Sequence, residues 1–339
     1  MASALKIEDM LSDEERSNLR RSSMPDWREP MLATLTDERF SSAEWIYERK
    51  LDGERCLARI SGDQVRLSSR SRQSLNKTYP ELVEALQHQP CGQAIVDGEV
   101  VAFDGARTSF ARLQERLGIS DIRRARQSKV PVYFYLFDLL HLDGCDTRSL
   151  PLRARKKLLL ASFEFRKPIR FTPHRNEQGM DFYEYACTRG WEGVIAKRAD
   201  SRYSAGRSRD WLKFKCVTNQ ELIICGYTEP TGQRKAFGAL LLGYYERGRL
   251  RYAGKVGTGF DDRMLEALGR RLRNCRRRTS PFDDGEAPSA SADITWVTPA
   301  LVAEIAFTEW TAAGRLRHPR FIGLRPDKSA NDVVREYAS

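Results

Sequence analysis

A lysine amine attacks an electrophile only after losing its proton, which it does near neutral pH when burial or neighbouring cations disfavour the ammonium form. The stretch Trp45-Ile-Tyr-Glu-Arg-Lys50-Leu-Asp-Gly-Glu-Arg55 offers both influences, because Trp45, Ile46 and Leu51 can exclude water while Arg49 and Arg55 add positive charge. Lys50 is therefore the candidate nucleophile. The same spacing, with Asp52-Gly53 between two alternating segments, is also the signature of an ordinary β-hairpin, so this stretch alone leaves both readings open.

Six further ionisable residues stand on runs that otherwise read as strands: Glu99, Asp138, Glu192, Lys197, Lys213 and Lys215. Burying a charge without a partner is costly, so so many on apolar strands call for a purpose. Carboxylates able to hold hydrated Mg²⁺ or Mn²⁺, together with ammonium groups for phosphate oxygens, are what nucleotidyl transfer needs. In Asp210-Trp-Leu-Lys213-Phe-Lys215 the lysines alternate with Leu212 and Phe214, which turns both ammonium groups to one side.

The elements that must position these groups can be read from periodicity. Residues 1–29 are mostly charged and read as a surface arm, with Ser12-Asp-Glu-Glu15 able to cap a short helix. Strands are expected at 45–49, 55–60, 64–69, 93–103, 130–140, 190–197 and 210–215, and helices at 75–87, 109–117, 150–160 and 179–188, with a basic loop at 123–129. After Cys216 the texture changes to short strands between glycine turns, with one helix at 261–273, a loop at 279–293 and a closing strand at 295–308. That pattern suits a small barrel of the oligonucleotide-binding kind. The reading is thus an α+β chain with an arm (1–29), a domain of antiparallel sheets (30–216) and a barrel domain (217–339), without internal repeats.

Composition narrows the class. With 57 basic and 46 acidic residues the chain carries +11, which favours an extended acidic partner, nucleic acid first. Seven cysteines are scattered without a Cys-x-x-Cys pair, which points to buried thiols in a reducing cytoplasm, and no histidine spacing suggests a zinc site. No signal-like or membrane-spanning apolar run occurs, so no membrane partner is expected.

Six segments in order carry a family pattern: Lys50-Leu-Asp-Gly-Glu-Arg55, Asp97-Gly-Glu99, Tyr135-Leu-Phe137-Asp138-Leu-Leu, Glu192-Gly-Val-Ile-Ala-Lys197, Trp211-Leu-Lys213-Phe-Lys215, and a closing set with Arg320, Arg325, Asp327 and Lys328. Together they resemble the ATP-dependent DNA ligases, most of all the ligase module of bacterial non-homologous end-joining proteins, over about residues 30–329. The resemblance implies a nucleotidyltransferase domain followed by an OB-fold domain. It implies that Lys50 carries AMP, Glu48 reads the adenine amino group, and Phe137, on a strand that Asp138 marks as lining a cleft, stacks on the purine. Arg55 and Arg70 would hold the ribose and phosphate region, although Arg72 competes with Arg70 on spacing. Glu99 and Glu192 would organise the metal, and Lys197, Lys213 and Lys215 would meet the phosphates. Arg325 and Asp327 would orient pyrophosphate in the first step. ATP and Mg²⁺ are the implied cofactors and nicked or broken duplex DNA the substrate, with the chain acting as a monomer beside an end-joining partner protein. The arm leaves no room for a helical DNA-binding domain, and no polymerase or phosphoesterase module is expected. The rival readings are an RNA ligase or mRNA-capping nucleotidyltransferase and, from another class, a catalytically silent DNA-binding protein.

Overall fold

The computed structural model describes residues 7–216, 218–230, 236–282 and 293–336. The chain divides into two compact units, one up to Cys216 and the other Val217–Glu336. The expected loop at 279–293 lies largely outside the described residues.

The first unit is built on two sheets. Eight strands form the first sheet, whose main path runs Arg20–Arg21, Cys145–Asp146, Val132–Leu142, Gln93–Asp104, Glu54–Ser61 and Gln64–Ser69. The second has five, in the order His174–Asn176, Trp45–Lys50, Gly193–Arg198, Gly206–Lys215 and Met31–Leu35. Pairing is antiparallel except where Ile169–Phe171 joins Val132–Leu142 and Met31–Leu35 joins Gly206–Lys215. The first sheet covers the larger apolar core with the helices Pro80–Gln87 and Leu152–Ser162, while the second packs Tyr47, Val194, Ala196, Leu212 and Phe214 against Phe182 and Ala186 of the helix Gly179–Thr188.

This arrangement removes the hairpin reading of Asp52-Gly53. The strands on either side of it, Trp45–Lys50 and Glu54–Ser61, belong to different sheets, and the turn carries the chain from one to the other. Asp52 is held there by Phe110 N–H, which donates to Oδ2 at 2.9 Å, and its own N–H donates to Thr108 Oγ1 at 3.2 Å. Gly53 is required because a Cβ would land on the Val100 carbonyl oxygen.

The arm is more integrated than its charge suggests. Ser12 and Glu15 cap the helix Asp13–Asn18 reciprocally, but Leu11 enters the main core, Arg20–Arg21 adds an edge strand, and Met24 and Trp27 pack beside Met31 and Trp211. Six irregularly spaced apolar residues (Ile7, Met10, Leu11, Leu19, Met24 and Trp27) achieve this within a polar segment. The expected basic loop is partly the helix Ile122–Arg126, because the Asp121 carboxylate accepts from Arg123 and Arg124 N–H.

Cysteine usage also departs from expectation. Cys187, on the helix Gly179–Thr188, and Cys216, just past the strand Gly206–Lys215, form a disulfide across a separation of 29 residues. Packing the helix on the back of the second sheet brings them together, which no local spacing announces. Cys56, Cys91, Cys145, Cys225 and Cys275 are free.

In the second unit a six-stranded sheet runs Arg249–Val256, Leu240–Glu246, Asn219–Thr228, Ile294–Ala306 and Arg276–Arg277, with Arg320–Leu324 also on Ile294–Ala306. The helix Asp262–Asn274, capped by Asp261, buries Leu268 and Leu272 and leaves its arginines outward.

Candidate active site

Register places five of the expected site residues on one face of the second sheet. Lys50 lies opposite Gly193, which lies opposite Lys215; Glu48 lies opposite Ile195, opposite Lys213; Ile46 lies opposite Lys197, opposite Trp211. Residues directly opposite in a sheet share a face, so Lys50, Glu48, Lys197, Lys213 and Lys215 all turn away from the Gly179–Thr188 helix. Adjacent strands are about 4.8 Å apart, and Gly193 contributes no side chain between Lys50 and Lys215. A cationic face results.

Lys50 is partly exposed and forms an ion pair with Glu192, which stands one residue before the central strand. The cations expected beside it are committed elsewhere. Arg49 points to the opposite face, its guanidinium 4.2 Å from the Trp191 ring centroid, and Arg55 makes two 2.5 Å bonds to the buried Asp97. Carboxylate rather than arginine is therefore the charge seen next to Lys50.

Arg55 belongs to a closed group. It also donates to the Met31 carbonyl at 3.1 Å, and Tyr203 Oη donates to Asp97 Oδ2 at 2.5 Å. Burial alone would lower the Arg55 pKa, but Asp97 outweighs it and raises the guanidinium well above its ordinary value. Its face covers the Phe137 ring at 4.6 Å. Glu99 stands opposite Arg55 on the neighbouring strand, and Arg70 follows Ser69 in a loop closed by Ser69 N–H on the Gln73 carbonyl. Of the two competing arginines, Arg72 is stacked over Trp27 of the arm.

Phe137 occupies a β-bulge. Asp97 pairs with Asp138 and Gly98 with Leu136, which leaves Phe137 as the extra residue, aimed at Trp211 and Tyr203 between the sheets. Asp138, beside it, is fully buried and bonded to Arg155 at 2.7 and 2.9 Å, so its charge is taken up within the fold.

Glu48 is buried between two ammonium groups, Lys156 at 2.5 Å from Oε1 and Lys197 at 2.6 Å from Oε2. Burial pushes its carboxyl up, yet the two lysines outweigh burial and hold it below the usual carboxylate range. Lys197 sits under the rings of Phe137 and Trp211, 4.1 and 4.0 Å from their centroids. Burial brings its ammonium down to about 8, with Glu48 opposing and Lys156 assisting the shift. It lies deeper than a surface contact to phosphate would require.

Lys156, Arg155, Asp97 and Trp211 were not among the expected site residues. For the first two a signal existed: on the helix Leu152–Ser162 they fall at the third and fourth positions after Leu152, within the apolar stripe completed by Leu158 and Leu159. In the second unit Arg325 and Asp327 are both buried and bonded to each other at 2.8 and 2.9 Å, with Glu304 at 3.1 Å from Arg325 and Glu221 at 3.3 Å from Lys328. Arg320 is exposed.

A lysine delivered by a sheet-to-sheet crossing onto a cationic face, in a unit that is followed by a separate β-rich one, fits a nucleotidyltransferase domain with an OB-fold domain after it. The chain belongs to the ATP-dependent DNA ligase family: residues 30–215 match the ATP dependent DNA ligase domain and 233–328 the ATP dependent DNA ligase C terminal region. It is 39% identical over 319 residues to a multifunctional non-homologous end joining protein of Pseudomonas aeruginosa, covering 92% of this chain and 37% of that one. A Mycobacterium tuberculosis end-joining repair protein is 39% identical over 315 residues, covering 91% and 40%. The chain thus spans well under half the length of these relatives. Among solved structures, mycobacterial DNA ligase D complexed with ATP and MES matches with a TM-score of 0.62 and 36% identity, over 91% of this chain and 98% of that one. No helix among the described residues is long and apolar enough to cross a membrane.

Proposed function

We propose that the chain seals breaks in duplex DNA that present a 5′-phosphate and a 3′-hydroxyl, consuming ATP. Lys50 Nζ attacks the α-phosphorus, forming a nitrogen–phosphorus bond as pyrophosphate leaves; AMP then passes to the DNA 5′-phosphate, and the 3′-hydroxyl displaces it. The observation that carries this reading is the single face shared by Lys50, Glu48, Lys213 and Lys215 at the crossing between the sheets.

Glu48 accepts from the adenine amino group, and Phe137 stacks on the purine. Arg70 meets the ribose and phosphate region, while Arg55, tied to Asp97, fixes the ring of Phe137 from beside it. Lys213 and Lys215 take phosphate oxygens, with Lys197 adding positive charge from beneath the base. Glu192 orients Lys50 and can accept its proton. Arg325 and Asp327 shape the closing segment that orients pyrophosphate, which also carries Arg320 and Lys328.

Mg²⁺ ordinarily takes one or two protein carboxylates and completes its shell with water and substrate phosphates, and Glu99 and Glu192 suit that donor set. Bound there, the ion would neutralise charge on the phosphates of ATP. The charge of +11 favours nucleic acid as partner; duplex DNA, like the end-joining role of the similar proteins, is carried over as part of this proposal. Assaying nicked DNA, nicked RNA and GTP in parallel tests it. Sealing of nicked DNA with ATP is expected to dominate; preferential sealing of RNA, or transfer of GMP to an RNA end, would contradict it.

A further inference from the structure

Lys156 has no place in the assignments above, yet it is among the most fully enclosed cations of the first unit, with 2% of its side chain exposed. Its ammonium donates to Glu48 Oε1 at 2.5 Å and to the Thr172 carbonyl at 3.0 Å, and lies 4.6 Å from the Phe171 ring centroid. The other oxygen of Glu48 faces Lys197 at 2.6 Å. A carboxylate has about four lone-pair sites, so both oxygens can still accept from a further donor.

The neighbourhood is not closed. Thr172 Oγ1, Trp211 Nε1 and Nδ1 of His174, whose backbone pairs with Glu48, are buried and make no hydrogen bond. Orphaned polar atoms beside an aromatic slot suit a flat heterocycle with polar edges better than a finished core.

We propose that Lys156 is a positioning residue for nucleobase selection, fixing the Glu48 carboxylate as an acceptor for the exocyclic amino group of adenine. The proposal rests on the reading that Glu48 faces the base. A carboxyl group buried this deeply becomes a neutral acid unless cations hold it ionised. As a carboxylate it accepts from the adenine amino group and repels the keto oxygen that guanine carries at the equivalent position. As an acid it can donate to that keto oxygen. Lys156, with Lys197 on the other oxygen, therefore biases which base is accepted without touching the base.

The test uses the full chain and measures kcat/KM for covalent labelling with α-labelled ATP and GTP under Mg²⁺, with melting temperatures alongside. Lys156→Met is expected to lower the ATP-to-GTP ratio at least about tenfold, the worth of one hydrogen bond to a charged group. Lys156→Arg, which keeps the charge, should retain more of the ratio. A solely structural role would slow both nucleotides alike. Should Lys156→Met not fold, Lys156→Gln is judged by the same ratio. If Glu48→Gln shifts the ratio and the Lys156 variants do not, the proposal is overturned while the reading of Glu48 stands. If Glu48→Gln also leaves it unchanged, the reading of Glu48 fails and this proposal with it.

Discussion

Arg155 and Lys156 are neighbours on one helix, and each holds a buried carboxylate from a different strand, yet the two sites are built differently. Around Arg155 everything is matched: Asp138 takes two bonds, and the Leu150 and Ser201 carbonyls take two more at 2.6 and 2.8 Å. Around Lys156 one carboxylate serves two ammonium groups, and polar atoms nearby lack partners. A closed network is what holding a helix to a sheet requires, whereas excess charge beside an aromatic slot is tolerated only where something else completes it. Burial and charge alone would have classed the two together. Satisfaction of each donor and acceptor separates them.

If the cationic face exists for chemistry, its nucleophile can be removed at little structural cost. Lys50→Ala is expected to reduce covalent labelling from ATP by at least about 1,000-fold, to background. Lys50→Arg should fail equally, because a guanidinium does not lose its proton. The melting temperature should stay close to that of the parent. A large drop in melting temperature would move Lys50 to the structural side of the comparison.

Breaking the closed pair should do the reverse. Arg155→Met leaves Asp138 buried without its cation, at an expected cost of about 3–5 kcal/mol in stability. Equilibrium denaturation in urea measures it, and at temperatures where the variant remains folded its preference for ATP over GTP should match the parent's. A loss below about 1 kcal/mol would show that the closed network is not what holds the helix.

The smallest effect concerns pH. Lys197 has its pKa lowered from 10.5 to about 8, chiefly by burial. Below about 8 it is charged in both folded and unfolded chains, and the penalty of burying the charge is present in full. Between about 8 and 10.5 the unfolded chain still binds the proton that the folded one has released, so stability gains from Lys197 as pH rises. The stability difference, parent minus Lys197→Met, should therefore increase from pH 7.5 to pH 9.5 in parallel urea titrations. A constant difference would mean that the open cluster does not depress this ammonium.

Much of this comparison was visible in the sequence, and its limits have physical causes. Alternation placed Lys213 and Lys215 on one side, and ordered motifs gathered the cationic face, because strand periodicity is local. The destination of a strand is not local, so Asp52-Gly53 kept its resemblance to a hairpin until the two sheets were seen. Asp138 was legible as an anomaly but not as a structural one, since its partner lies 17 residues away on a helix. Periodicity gave the helix at 150–160 but assigned no role to Arg155 and Lys156, although their position within the apolar stripe carried a signal of burial. The pairing of Cys187 with Cys216 and the burial of Arg325 with Asp327 depend on tertiary packing that spacing does not record.

Peptide mapping by mass spectrometry after incubation with ATP and Mg²⁺ addresses the central claim most directly. Lys50 is predicted to carry AMP through an acid-labile phosphoramide bond, and once free ATP has been removed the adduct should disappear on adding nicked DNA as AMP is passed on and the break is sealed. AMP on any other lysine, or an adduct at Lys50 that persists while nicks are sealed, would contradict the account.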